Sequence, residues 1–267
     1  TGGVDWIWGV PPENADMLNT MPNITVVSAP TMRMSFLALD AAGRTGKNPL
    51  TDVRVRRAIA HAIDREAIAK NLVGEGAAVQ KSLCVPIQFG CETDVVQYEY
   101  NPEKAKQLLA EAGYPNGFTV QFYAYRDRPY SEAVINYLRA VGINAELQFL
   151  QWRALRPLIV DNKTPIAHLT FGSNGMLDAS ASTGHYLQFS PDDYARDEEV
   201  RDWLAKAEKT MDPAVRKELY STALKKIADQ AYYLPLFIYG RTYAFTSDLD
   251  YPLTDDEMAH FYMAKWK

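Results

Sequence analysis

The hydrophobic positions of this chain change period several times, and the changes divide it into elements. From Asp52 onward Val55, Ala58, Ile59, Ala62 and Ile63 recur at helical spacing, while Arg54, Arg57, His61 and Arg65 fall on the opposite face. That pattern predicts an amphipathic surface helix capped by Asp52. Asp64 caps a short second helix carrying Ala67, Ile68 and Leu72, which stops before Gly74 and Gly76. Asn101, Pro102 and Glu103 supply a cap, a proline at the first helical position and a first-turn acid. The helix they open runs over Ala105, Leu108, Leu109 and Ala112 and ends at Gly113.

The period then shortens to two. Phe118, Val120, Phe122 and Ala124 alternate with Thr119, Gln121 and Tyr123, the mark of a half-buried strand. Val134, Ile135, Leu138 and Val141 return to helical spacing up to Gly142, and Ile143, Ala145, Leu147 and Phe149 alternate again. Strand, helix, strand predicts a right-handed crossover within one sheet. Val200, Trp203, Leu204 and Ala207 mark another helix, and Asp212-Pro213 opens one carrying Val215, Leu219, Ala223, Leu224 and Ile227. Tyr233 to Tyr239 is a nearly continuous apolar strand, as expected where both faces of a sheet are covered. The tail from Leu249 to Lys267 is aromatic and irregular and is expected to pack outside this layer. The opening TGGVDWIWGV looks like a strand entered in mid-fold, so a preceding segment is expected.

With 267 residues, 47% apolar and 23% charged, the chain has ordinary globular composition. A net charge of −5 lacks the concentrated basic face that nucleic acid or an anionic membrane demands, which leaves a small solute as the default partner. No run reaches the roughly 18 to 20 apolar residues of a membrane span, and no basic-then-apolar signal opens the chain. Cys84 and Cys91 enclose a bend-prone VPIQFG segment, so they either close a local disulfide or stand as two separate thiols. No histidine is spaced to join them in a metal site, and no cofactor is expected.

Pro49-Leu50-x-Asp52-Val53-Arg54-Val55-Arg56-x-Ala58-Ile59, followed by Ala62-Ile63-Asp64-Arg65 and Ile68, resembles the signature stretch of the family 5 extracytoplasmic solute-binding proteins. These are the dipeptide, oligopeptide and nickel receptors of ABC importers. Tyr100-Asn101-Pro102-Glu103-Lys104-Ala105-Lys106 with Leu108-Leu109-x-x-Ala112-Gly113-Tyr114 is similar to the same family, where an Asp often replaces Asn101. The likeness reaches back to Gly3-Val4-Asp5 and Val10-Pro11 and forward through Tyr220 and Asp229-Gln230 to Leu234-Pro235-Leu236. It implies an α/β lobe of the type II periplasmic-binding class, a mixed sheet flanked by helices. Residues 37–237 would form the second lobe, 1–36 a crossing segment from a first lobe mostly absent here, and 238–267 a return segment toward it.

The implied function is capture of a peptide-like or carboxylate-bearing solute between lobes and its delivery to an ABC permease. The implied setting is a periplasmic or lipid-tethered monomer, with this chain alone binding weakly. The strand ending at Ala124 would present Arg126, Arg128 and Tyr130 to the cleft, where a guanidinium grips a carboxylate through paired hydrogen bonds. In the family's dipeptide receptors an Arg-Pro-Tyr matched by Arg128-Pro129-Tyr130 holds the peptide carboxylate. Those receptors place an acid for the peptide ammonium at the position of Ser173, in the turn Phe171-Gly172-Ser173-Asn174-Gly175. Without that acid a buried ammonium costs several kcal/mol, so dipeptide binding requires Asp178 as a substitute. Otherwise the solute is a carboxylate lacking the matching amine, such as an opine-like compound. Arg33 would face the cleft from the crossing strand or stand exposed on it, and Trp152, Phe171 and Tyr186 are aromatic wall or core.

Two other classes remain: a ligand-free interaction module that has kept the lobe, and a hydrolase. For the hydrolase, P-loop, dinucleotide, G-x-S-x-G and H-E-x-x-H motifs are all missing. Such a site requires a nucleophile within reach of a base; His61 lies on a helix face and His185 stands beside Ser182.

Overall fold

The structure is a computed structural model and describes residues 3–173 and 175–267. In chain order its elements begin with strand β1 (Trp6–Trp8), helix α1 (Pro12–Asn19) and the long strand β2 (Ile24–Leu39). Helices α2 (Val53–Ala62) and α3 (Arg65–Ile68) follow, then β3 (Ala78–Val79), α4 (Pro102–Glu111), β4 (Phe118–Ala124), α5 (Arg128–Ala140) and β5 (Ile143–Phe149). Next come α6 (Trp152–Val160), β6 (Ile166–Gly172), α7 (Ser180–Tyr186), α8 (Glu198–Lys209) and α9 (Pro213–Asp229). The long strand β7 (Tyr233–Thr246) and the short β8 (Leu249–Asp250) and β9 (Lys265–Trp266) complete the described chain.

Local sequence accounts for most of these boundaries. The Asp52 side chain accepts from the Arg54 N–H, Asp64 from the Ala67 N–H and Asn101 from the Lys104 N–H, each satisfying a donor that the first helical turn leaves free. The alternating segments form β4 and β5, paired in parallel with Phe118 opposite Ile143 and Ala124 opposite Phe149, and α5 makes the crossover.

The mixed sheet runs β1-β7-β2-β6-β4-β5, with β3 added on β7. Its β4 pairs are parallel, whereas β2 is antiparallel to both β6 and β7. Helices α2, α4 and α5 cover one face, with Ile59, Leu109, Val134 and Leu138 packed on Phe122 and Leu37. On the other face Leu155, Ile159, Leu204, Tyr220 and Leu224 pack around Phe36 and Tyr233. Burial on both sides explains why β7 begins as an unbroken apolar run.

Two features of the sheet differ from the sequence expectation. The strand expected at Tyr233–Tyr239 continues to Thr246, and both segment boundaries at 36/37 and 237/238 fall inside continuous strands, β2 and β7. The discontinuity is a shift of register instead. Ile24–Pro30 pair with Thr246–Gly240, Met34 pairs with Ile238, and Thr31–Arg33 bulge out between them. Polar residues break the apolar alternation here, yet hydrogen bonding carries both strands through, so chain composition alone does not mark the jog.

The tail is more ordered than its irregular sequence suggests. Leu249 pairs with Trp266 and Asp250 with Lys265, and Tyr251 and Phe261 pack around Trp6 with ring centroids 5.3 and 4.9 Å away. These contacts lie on β1 and the far half of β7. Of the two cysteine alternatives the structure has the disulfide, Cys84–Cys91. Among the described residues no group of three or more His, Cys, Asp or Glu converges as a metal site, and no helix is long and apolar enough to cross a membrane.

Candidate functional site

A cavity of about 550 Å³ opens where β2 and β7 jog. Its walls are the bulged segment Thr31–Arg33 of β2, Tyr239–Arg241 of β7, the start of α5 with Arg126, Asp127 and Tyr130, the loop around Lys70–Glu75, and Glu257 from the tail. The bulge is pinned locally, because the Thr31 hydroxyl donates to the Tyr239 carbonyl (2.9 Å) and accepts from the Arg33 N–H (3.1 Å). Gly240 lets the Lys70–Glu75 loop come close: a Cβ there would sit 2.1 Å from the Glu75 carbonyl oxygen.

One wall is phenolic. Tyr239 donates its hydroxyl to Asp127 Oδ2 (2.7 Å), and Asp127 also lies 3.4 Å from Arg126 Nε. Burial, reinforced by the charge of Asp127, raises the Tyr239 phenol well above its ordinary pKa and keeps it a proton donor. Tyr130 stands edge-on to Phe237 (5.5 Å) and tilted against Tyr239 (6.3 Å), and burial likewise raises its phenol.

The opposite wall is charged. Arg33 donates through Nε to Glu257 Oε1 (2.9 Å) and through Nη1 to Thr170 Oγ1 (3.4 Å), and its Nη2 forms an ion pair with Glu257 Oε2 (2.9 Å). Arg241 donates Nη2 to Glu257 Oε1 (2.9 Å) and Nη1 to the Glu257 carbonyl (3.1 Å), while its guanidinium lies over the Trp8 ring at 4.5 Å. Burial opposes the charge on Arg33, but the hydrogen bond and charge of Glu257 outweigh it, and the arginine pKa is raised.

The residues singled out from sequence are thus divided. Arg33, Arg126 and Tyr130 come together at the cavity. Arg128 does not: its side chain is 60% exposed, pairs with Glu132 (2.7 Å) and lies 5.7 Å over Phe149, along a separate groove between α5 and β5. Asp127 in the left-handed region (φ +50°) sets the start of α5, and the Arg-Pro-Tyr stretch sends Tyr130 to the cavity and Arg128 away from it. Asp178 faces α9, paired with Arg216 (2.8 Å) and accepting from the Tyr220 hydroxyl (3.2 Å), so it does not stand in for an acid at 173. Ser173 is buried, and its hydroxyl has no hydrogen-bond partner among the described residues. Asn174 lies outside the described residues.

Phe171 stacks on His185 (5.7 Å) and meets Tyr186 edge-on (5.5 Å), while Trp152 packs on Tyr125 (4.9 Å); none of the three aromatics lines the cavity. Neither histidine weighed for a hydrolase, His61 or His185, pairs with a serine side chain among the described residues. Ser182 donates to the Leu83 carbonyl (2.5 Å), His185 Nε2 faces Asp192 (3.4 Å), and His61 Nδ1 faces the Glu99 carbonyl (2.9 Å). Sequence reasoning missed Asp127, Tyr239, Arg241 and Glu257. The available signal was the polar Gly240-Arg241 step just beyond the apolar run of β7.

The model for bacterial extracellular solute-binding proteins, family 5 Middle, matches residues 1–194. The glutathione-binding protein GsiB of Escherichia coli (strain K12) is 27% identical over 254 residues, covering 89% of this chain and 48% of GsiB. In fold, the chain is similar to the periplasmic binding protein DppA from Helicobacter pylori, solved with the peptide STSA (TM-score 0.85, 23% identity, 99% of this chain and 53% of that one). It is also similar to AgaA of A. tumefacien R10, solved with agropinic acid (TM-score 0.76, 24% identity, 93% and 52%). The chain therefore spans about half the length of the relatives it matches.

Proposed function

This chain belongs to family 5 of the bacterial extracellular solute-binding proteins, and from that premise we propose that it serves as the substrate-binding component of an ABC importer. Its solute is a small peptide-like or carboxylate-bearing compound, which it passes to a membrane permease from the periplasm or another extracytoplasmic space, free or lipid-tethered. The observation that carries the reading is the cavity at the jog of β2 and β7, walled by the Tyr130–Tyr239 pair on one side and the Arg33–Arg241 pair on the other. Aromatic rings beside a few convergent polar groups are what a small-solute pocket needs. In this reading residues 37–237 form the binding lobe, 1–36 and 238–267 are the segments crossing toward the other lobe, and the jog is the hinge about which the lobes close. The protein acts as a monomer and by binding, without covalent chemistry.

The glutathione and agropinic acid of the relatives' names are both carboxylate compounds and define the panel to test, together with short peptides. Native mass spectrometry of the protein purified from its source is expected to reveal a bound molecule of this class that Tyr130→Ala loses. A wild-type protein that carries no solute and binds none of the panel would overturn the reading.

A further inference from the structure

Glu257 occupies a position that a ligand carboxylate would fit. Its carboxylate receives two charge-assisted hydrogen bonds, one from Arg33 Nε and one from Arg241 Nη2, and its second oxygen forms an ion pair with Arg33 Nη2, the side-on approach by which guanidinium groups bind carboxylates. Both arginines and Glu257 line the same cavity. The space for the carboxylate exists because residue 172 lacks a side chain: a Cβ there would lie 2.7 Å from Arg33 Nη2 and 2.8 Å from Glu257 Oε2. Gly172 pairs with Arg33 across β6 and β2, so sheet register places this gap beside the guanidinium.

The segment bearing Glu257 is anchored without that side chain. The Met32 N–H donates to the Asp255 carbonyl (2.7 Å), Asp256 accepts from the Thr254 hydroxyl (2.9 Å) and the Met258 N–H (3.1 Å), and His260 Nε2 meets Asp256 Oδ2 at 2.7 Å. Arg241 also holds the Glu257 carbonyl independently of the carboxylate. Glu257 itself sits at φ +63°, a backbone region that a residue with a side chain seldom adopts. Swinging its carboxylate out therefore requires rotation of one side chain and leaves the segment in place.

We propose that the Arg33–Arg241 pair is a carboxylate-binding subsite of the cavity and that Glu257 is its tethered resident competitor. The proposal rests on the solute-receptor reading and adds a specificity rule to it. An anionic group gains the subsite only by displacing Glu257, whose attachment to the same chain gives it a high effective concentration. With Glu257 in place the two arginines keep a net charge of +1, so neutral groups of a solute are tolerated there and cationic groups are disfavoured. Glu257 thus sets how acidic a solute must be to bind at this end of the cavity.

The test uses the 267-residue chain with N-acetylglycine as the carboxylate probe and N-acetylglycinamide as its uncharged counterpart, read by calorimetry and by fluorescence of Trp8, which stacks on Arg241. Glu257→Gln removes the competing charge and is expected to raise affinity for N-acetylglycine by about tenfold or more, with no gain for the amide. Adding Arg33→Ala is expected to abolish the gain. Equal affinity of wild type and Glu257→Gln for the carboxylate, with circular dichroism showing a folded variant, overturns the proposal, as does an equal gain for the amide. If Glu257→Gln does not fold, Glu257→Asp decides instead: its shorter side chain loosens the contact, so a gain supports the subsite and no gain overturns it. A wild type that binds no solute of the panel, alongside an intact gain in Glu257→Gln, sinks the receptor reading while upholding the arginine subsite.

Discussion

His168 offers the most quantitative test of how the sheet supports the cavity. It lies on β6 with its ring buried between two elements that reach the site: Nε2 is 2.7 Å from Ser35 Oγ on β2, and Nδ1 is 2.7 Å from Ser131 Oγ on α5. A neutral imidazole donates at one nitrogen and accepts at the other, and each serine hydroxyl can rotate to complement it. Burial removes the ring from water and lowers its pKa from the ordinary 6.5 to about 4. Because the folded-state pKa is depressed, the unfolded chain binds the extra proton between those values. Above about pH 6.5 the ring is neutral in both states and contributes nothing; stability is lost as pH falls from there through about 4. The full depression corresponds to about 3 kcal/mol.

Urea unfolding of wild type and His168→Gln, measured from pH 7.5 down to pH 4, isolates this contribution, since the carboxylates titrate in both proteins and cancel in the difference. The variant is expected to be less stable near neutrality, by roughly 1 to 3 kcal/mol, because one serine hydroxyl loses a good partner. That deficit should shrink by about 3 kcal/mol toward pH 4, where wild type bears the cost of charging a buried ring. Parallel stability curves for the two proteins across this range would refute the account, as would an NMR titration placing the His168 ring near 6.5.

Two further substitutions test other parts of the structure. Gly172→Ala should drive its new methyl against Arg33 and Glu257 and cost roughly 1 to 3 kcal/mol by overpacking, seen as a lower melting temperature, whereas an unchanged melt would mean the pair moves aside freely. Replacing Cys84 and Cys91 together with serine opens a short loop whose ends are 7 residues apart, and should cost about 2 to 3 kcal/mol in chemical unfolding under oxidising conditions. With reductant present, the two proteins should unfold alike.

The elements that the chain announced most clearly were those whose determinants lie close together in sequence. Asp52, Asp64 and Asn101 cap the helices they precede, because a cap is a hydrogen bond spanning two or three residues. The alternation of Phe118–Ala124 and Ile143–Phe149 gave two neighbouring parallel strands for the same reason: a half-buried face imposes a period of two wherever it occurs. The cavity was only partly legible. Arg126, Tyr130 and Arg33 were chosen from their places at strand ends and on the crossing strand, and all three line it. Arg128 was chosen from the same strand end and Asp178 as a substitute acid, and the folded chain commits them to Glu132 and to Arg216.

By itself the sequence determined the α/β architecture, the family to which the chain belongs and the neighbourhood of the cavity, since each is written in local period, capping and motif. Tertiary structure alone decided which side chains meet there. Arg33 and Glu257 are 224 positions apart and are joined only because β7 runs on past its apolar half and carries the tail back to the bulge of β2. Arg126 and Arg128 differ by two residues yet face different grooves, because the backbone turns through a left-handed residue between them. Contacts across such distances depend on strand register and on a single backbone angle, and neither leaves a periodic trace in the chain.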